Sequence, residues 1–277
     1  MQKDKTPVTT QTPLSVNRAP LYFAAFIIAL CLAGLVFTGH ASRAQAASKE
    51  TGSASVSAAE RAKIEAIVRD YLVREPEVLI EAFEALEEKK RAGDIADKEK
   101  AIAENTAAIY EDPDSFVGGN PDGDVTIIEF FDYQCGFCKR TAGDLIEAVE
   151  DDGNTKLIMR EFPILGPESD IAARAALAAM KQDKYLDLHL ALMELNGRLS
   201  EARVMETAES VGLNTDQLAR DMASPSLSEA IERTKTLAST IGVDGTPAFI
   251  IGGRLYPGAL EKDELLTIIE HTRETAS

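Results

Sequence analysis

The chain has 277 residues, 45% of them apolar and none of them tryptophan, a length that supports one large domain or two smaller ones. Its 46 acidic and 29 basic side chains give a formal net charge of −17. That balance argues against non-specific binding to nucleic acid or to an anionic membrane surface, because both are polyanions.

The first segment reads as a targeting signal. Lys3, Lys5 and Arg18 precede an apolar run over residues 21–37, and small residues follow, including the A-x-A pattern Ala44-Gln45-Ala46. Residues 1–46 are therefore expected to be a secretory signal peptide. An uncleaved membrane anchor is the alternative, since the run approaches the ~20 residues that span a bilayer. In both cases the body of the protein is exported to a compartment where disulfides persist. Cleavage after Ala46 would remove four basic residues and one acidic residue, taking the net charge from −17 to −20.

Residues 47–56 are small and polar and read as a tether. A helical arm within 47–112 follows. Ser57-Ala58-Ala59-Glu60 fits a capping box, and Ile64, Ile67, Val68, Tyr71 and Leu72 recur at helical spacing. Pro76 ends this helix and suits the first turn of the next, whose stripe is Val78, Leu79, Ala82, Phe83 and Leu86. After Gly93 a third, weaker stripe holds Ile95, Ile102, Ile109 and Tyr110. The arm is too small for a comfortable core of its own. Its stripes either pack on the main domain or bury one another between copies of the chain.

Residues 113–277 change character. Phe116-Val117 suggests a short strand, Asn120-Pro121-Asp122-Gly123 a turn, and Val125 to Phe131 a strand that runs directly into a helix beginning at Cys135. Lys156 to Phe162 reads as a second strand, completing a β-α-β unit with a parallel pair. Residues 168–242 are helical in pattern, with Ser226-Leu227-Ser228-Glu229 as another capping box. Ala248 to Ile251 is a strand, Gly252-Gly253 a hairpin turn, residues 254–256 the returning strand, and 261–273 a closing helix. The expected class is α/β, with a helical block inserted between β-α-β and β-β-α.

Of three cysteines, Cys31 lies in the leader, which leaves the single pair Cys135-Gly136-Phe137-Cys138. One pair is too few for a stapled scaffold and suggests chemistry. Backbone N–H groups and the dipole of a helix N-terminus favour negative charge on the first sulfur, and the second lies one turn on, within reach of a disulfide. A zinc site wants four ligands; His189 and His271 lack ligand spacing and read as ordinary core or surface histidines. A purely structural disulfide would close a very short loop and gain little chain entropy.

The run from Phe130-Phe131-Asp132-Tyr133-Gln134 through Cys135-Gly136-Phe137-Cys138-Lys139, the segment Gly245-Thr246-Pro247 and the helical insertion together resemble the thioredoxin superfamily, and more closely its DsbA-like exported thiol–disulfide oxidoreductases. The resemblance covers roughly 115–275. It implies a thioredoxin fold, a redox-active Cys135–Cys138 disulfide in place of any bound cofactor or metal, and a cis proline at Pro247 beside the dithiol. Thr246 would pair by its backbone with an incoming chain. Cys135 would attack a substrate disulfide and Cys138 would resolve the mixed disulfide. Glu129, six positions before Cys135, matches the family's buried acid and could shuttle the proton of Cys138; the alternative places it on an edge strand facing solvent. Asp132 and Lys139 are expected to be surface charges.

Strongly oxidising relatives carry a histidine between the cysteines; Gly136 and Phe137 supply no such charge, so a less oxidising couple is expected, as in disulfide isomerases. The segment from Ile67 to Leu79 resembles the arm of the ScsC (suppressor of copper sensitivity) subgroup, in which such an arm can mediate trimerisation. The expectation is a periplasmic disulfide isomerase or reductase, homo-oligomeric through residues 57–110, with a trimer among the states the resemblance implies. Its substrates would be unfolded or misoxidised exported proteins, and a membrane redox partner would keep it reduced. A monomeric disulfide oxidase is one alternative. A copper-binding protein of copper tolerance is another, since thiolates favour Cu(I), although no Met- or His-rich tract supports it.

Overall fold

The computed structural model describes residues 56–276, so the leader, Cys31 and most of the expected tether lie outside the described residues. The chain divides into two units, residues 1–68 and 69–277. Of the first, residues 56–68 are described. Ser57 forms the expected capping box, its backbone N–H and hydroxyl both donating to Glu60 while its hydroxyl oxygen accepts from the Glu60 N–H. It starts helix α1, Ala58–Arg74.

In the second unit α1 ends at Arg74 and Pro76 stands at the N-cap of α2, Glu77–Glu104. The third stripe expected after Gly93 does not start a new helix there; α2 runs through Gly93. A helix-interior glycine costs about 1 kcal/mol relative to alanine, too little to interrupt a segment otherwise rich in Glu, Lys and Ala. A short helix α3, Thr106–Tyr110, follows. The arm has two fates. Leu79, Ile80, Phe83, Leu86 and Ile95 are exposed, whereas Ile102 and Ile109 are fully buried in a cluster with Ile128, Phe130, Ile158 and Ile250 of the sheet.

The sheet has five strands: β1 Phe116–Gly119, β2 Val125–Phe131, β3 Thr155–Glu161, β4 Ala248–Ile251 and β5 Arg254–Pro257. They are ordered β1-β3-β2-β4-β5. β2 lies at the centre, parallel to β3 and antiparallel to β4, and its β-branched and aromatic residues suit a strand buried on both faces. Alternation divides it between two cores. Ile127 and Phe131 face helix α4 (Gly136–Asp152), while Ile128 and Phe130 face the cluster that holds Ile102.

Between β3 and β4 the helical block consists of α5 Pro167–Ala179, α6 Tyr185–Glu194, α7 Glu201–Ser210, α8 Thr215–Met222 and α9 Pro225–Thr240; α10, Lys262–Ala276, closes the fold. The capping box expected at Ser226 is displaced. Ser224 is the N-cap and Pro225 takes the first helical position, where its missing N–H costs nothing.

Arg160 joins the arm to the sheet. Its guanidinium is 1% exposed, pairs with Asp112 and donates to the carbonyls of Ala108 and Ile109 at 2.6 Å each. Those carbonyls belong to the last turn of α3, where a cation suits the unsatisfied acceptors. Removing one partner of a buried ion pair strands the other. Arg160→Leu should therefore lower the unfolding free energy by about 3 kcal/mol, read as a reduced urea midpoint with an unchanged slope.

Candidate active site

β2 delivers Asp132-Tyr133-Gln134 to the start of α4, and Cys135 is the N-cap. Its backbone is extended (φ −73°, ψ 114°) and its Sγ accepts from the Cys138 N–H at 3.4 Å. A sulfur thus occupies the place that a serine or aspartate oxygen usually takes at a helix start. The turn is closed by the Cys135 N–H donating to the Asp132 carbonyl and the Lys139 N–H donating to that of Cys135. Both cysteines are free thiols here. Cys138 is wholly enclosed, whereas Cys135 keeps a 5% opening between exposed Gly136 and the half-buried Gln134.

The second wall is the loop before β4. The Thr246–Pro247 peptide is cis, as expected, and the Cys135 Sγ–H donates to the Thr246 carbonyl at 3.2 Å. The Pro247 carbonyl accepts from the Gly258 N–H at 2.9 Å, tying this loop to the end of β5. Residues 111 positions apart in the chain meet because β2 and β4 are hydrogen-bonded neighbours.

Glu129 is buried on the central strand, opposite Met159 and Phe249, which removes the solvent-facing edge-strand alternative. Its Oε2 has no hydrogen-bond partner, and burial pushes the carboxyl up to about 8. Burial also raises the Cys138 thiol far above its ordinary value, and a charged Glu129 raises it further. The two groups feel each other, and each is driven toward its protonated form. The arrangement can hold a proton beneath the dithiol: Glu129, as the carboxylate, can receive the proton of Cys138 when the second sulfur must ionise.

Asp132 is not a surface charge. It is 1% exposed because the chain turns inward after β2, and its carboxylate accepts from four donors. Oδ1 takes the Gln134 N–H at 2.7 Å and the Ser169 hydroxyl at 2.6 Å; Oδ2 takes the Ile164 and Leu165 N–H groups at 2.8 and 2.9 Å. Lys139 is half-buried rather than free. Its Nζ donates to the carbonyls of Leu192, Met193 and Leu195 at the end of α6, where burial lowers its pKa. Phe137 is exposed and stacked under the Arg140 guanidinium, 4.3 Å from its ring centroid, so a cation does stand close to the pair between the cysteines.

A buried polar cluster lies behind the site. Glu161 Oε1 accepts from the hydroxyls of Tyr133 at 3.1 Å and Tyr185 at 2.8 Å, leaving the Tyr133 oxygen to accept from His189 Nδ1, also 3.1 Å away. Burial raises Glu161 well above the carboxylate range and lowers His189 to about 3. Burial thus favours the neutral form of each, and His189 is a core histidine, one of the two places the sequence left open for it. His271 lies far along α10 and is exposed. Sequence reasoning missed Asp132, Gln134, Ser169 and Glu161. Only Asp132 carried a signal, the tendency of an aspartate before a turn to cap the backbone two residues on.

These features fit the comparisons with known proteins. A DsbA-like thioredoxin domain model matches residues 126–270, and the model of the copper resistance protein ScsC N-terminal domain matches residues 60–92. A thioredoxin-like oxidoreductase from Silicibacter pomeroyi is 44% identical, with a TM-score of 0.60 over 61% of this chain and 98% of that one. A linker-deleted variant of Proteus mirabilis ScsC is 30% identical, with a TM-score of 0.61 over 81% of this chain and 100% of that one. The thiol-disulfide exchange protein alpha-DsbA2 of Wolbachia pipientis is 28% identical, with a TM-score of 0.60 over 67% and 98%.

Among curated proteins, a Na(+)/H(+) antiporter NhaA 1 of Salinispora arenicola is 29% identical over 157 residues, which is 56% of this chain and 24% of the antiporter. The chain spans about a quarter of the length of the curated relatives it matches. Among the described residues no helix is long and apolar enough to cross a membrane. With the family model covering more than half of its length and the dithiol, cis-proline loop and inserted helices all in place, the chain belongs to the DsbA-like thioredoxin family and carries a ScsC-type N-terminal segment.

Proposed function

We propose that the protein is an exported thiol–disulfide oxidoreductase, acting in the periplasm as a disulfide isomerase or reductase, and that it works as a homo-oligomer joined through its helical arm. The observation that carries the oligomer, and with it the isomerase reading, is the uncovered stripe on α2. Leu79, Ile80, Phe83 and Leu86 are all about half exposed or more, at a spacing that places them along one side of the helix. A soluble chain rarely leaves so many large apolar groups in one row without a partner, and a second copy offers the same row. Several dithiols held in one assembly can hold and re-pair a substrate with more than one wrong bond.

The chemistry follows from burial. Cys135, the less buried of the two described cysteines, attacks a substrate disulfide as the thiolate, forming a mixed disulfide and releasing one substrate sulfur as a thiolate. In isomerisation that thiolate attacks another disulfide of the substrate, and Cys135 is finally displaced unchanged. In reduction Cys138 attacks Cys135 Sγ. The Cys135–Cys138 disulfide forms, the substrate leaves with both sulfurs reduced, and two electrons have passed to it. A membrane dithiol donor then restores the pair. Glu129 takes the Cys138 proton in the resolving step, and the backbone of Thr246, held by Pro247, aligns the incoming chain beside Cys135. Cofactor chemistry is not needed, since the electrons reside in the two sulfurs.

Light scattering on residues 47–277 should give a multiple of the monomer mass. The variant Ile80→Glu/Phe83→Glu should give a monomer that still exchanges thiols but no longer reactivates scrambled ribonuclease. A wild-type monomer, or a monomeric variant with full isomerase activity, contradicts the oligomer argument.

Glu129 gives a second test with a definite sign. Between its ordinary value of 4.5 and its raised value of about 8, the folded state keeps a proton that the unfolded state has lost, so stability falls as pH rises through that window. Glu129→Gln should remove this slope. It should be more stable than wild type at pH 8 by about 4 kcal/mol, and the advantage should vanish below pH 4.5. The same variant should slow release of the mixed disulfide by about 10²-fold, measured by quenched-flow trapping. Equal pH slopes for the two proteins, or an unchanged release rate, would remove Glu129 from the proton path.

A further inference from the structure

Asp132 does more than fill a buried site. Its carboxylate sits at the centre of a closed hydrogen-bonded ring. Oδ2 holds the Ile164 and Leu165 N–H groups, and Oδ1 holds the Ser169 hydroxyl. The Gln134 side chain returns from the dithiol turn, donating to Ser169 Oγ at 2.9 Å and to the Leu165 carbonyl at 3.1 Å. Gln134 itself is fixed by its own N–H on Asp132. The ring joins the residue immediately before Cys135 to the loop between β3 and α5.

That loop is shaped for display. Asp132 and Ser169 are buried, at 1% and 0% exposure, yet Ile164 and Leu165 point outward at 41% and 48%. Their backbones are pinned and their side chains are free. Gly166 follows with φ 125°, a conformation open to glycine, and turns the chain into α5 at Pro167. Two large apolar side chains therefore stand on a loop that the ring ties to the dithiol turn, above a support whose centre, Asp132 and Ser169, is buried. Charge-assisted bonds of this kind are among the strongest polar contacts a protein makes.

We propose that Asp132 is a positioning residue for substrate selection: through this ring it holds Ile164 and Leu165 as an apolar ledge that receives the hydrophobic side chains flanking a cystine in a polypeptide substrate. The proposal rests on the oxidoreductase reading above and adds to it a substrate preference and the residue that sets it. A small disulfide such as oxidised glutathione carries nothing for the ledge to hold, so loss of the ledge should not affect its exchange.

The test is steady-state exchange by the full reduced protein with two disulfides, a cystine peptide flanked by leucines and oxidised glutathione. Asp132→Asn keeps the size of the side chain but places an NH₂ group against N–H donors. It should raise KM for the peptide about tenfold. Ile164→Ser/Leu165→Ser should raise the same KM to a similar extent with kcat unchanged, and leave glutathione exchange as in wild type. If Asp132 acts through the ledge, adding Asp132→Asn to that pair should change KM less than twofold further, as expected for coupled sites.

Ser169→Ala, which removes one donor, should give a smaller KM rise of about threefold and serves if Asp132→Asn does not fold. Parallel loss of glutathione exchange in the Ile164→Ser/Leu165→Ser protein, an effect that multiplies fully in the triple variant, or no change in peptide KM would each overturn the proposal. A wild-type protein that exchanges with neither disulfide would instead overturn the oxidoreductase reading on which it rests.

Discussion

A helix that is capped by a cysteine sulfur ties the rest of this structure together. The first turn of α4 needs an acceptor for its free N–H groups, and Cys135 Sγ supplies one to Cys138. The sulfur is thereby held at the positive end of the helix, one turn from its partner, with the Thr246 carbonyl on its other side. The architecture around it can be understood as support for that placement. The central strand aims the turn, the antiparallel neighbour brings the proline loop beside it, and the second sulfur is completely buried in the core.

Burial then separates roles that chemistry alone leaves equal. Both sulfurs belong to one short motif, yet one has an opening and the other has none. The enclosed thiol lies near an enclosed carboxyl, and each resists ionisation. Glu129 is a poor choice for stability, since its Oε2 lacks a partner and a buried unsatisfied polar group costs free energy. An apolar residue would serve the sheet better. Its presence at the centre of β2 makes sense as proton chemistry. Asp132 shows the opposite design: an equally buried side chain whose two oxygens accept from four donors, and so suited to hold a shape.

Much of this was legible in the chain. The strand-to-helix position of the C-x-x-C, the parallel β-α-β unit, the helical block and the Thr246-Pro247 loop all follow from patterns of apolar residues and turn formers, which report local geometry directly. The arm was legible only in part. The stripe after Gly93 looked separate because glycine is a weak helix former, but a long run of strong formers around that glycine decides the outcome. Whether the apolar stripes pack on the domain or stay free could not be read from periodicity, and both occur: Ile102 is buried against the sheet while Phe83 is exposed. Asp132, Gln134 and Ser169 were illegible as a set because they are joined across 37 positions of sequence. A charged residue beside a turn looks like a surface residue until its distant donors are known.

The central claim is that burial assigns attack to Cys135 and resolution to Cys138. It is tested most directly by trapping. Each single variant, Cys135→Ser and Cys138→Ser, is mixed with a cystine peptide and the adduct is read by mass spectrometry. The account predicts that Cys138→Ser accumulates a stable mixed disulfide on Cys135 and that Cys135→Ser forms none. A comparable adduct on Cys138 in the Cys135→Ser protein would contradict it.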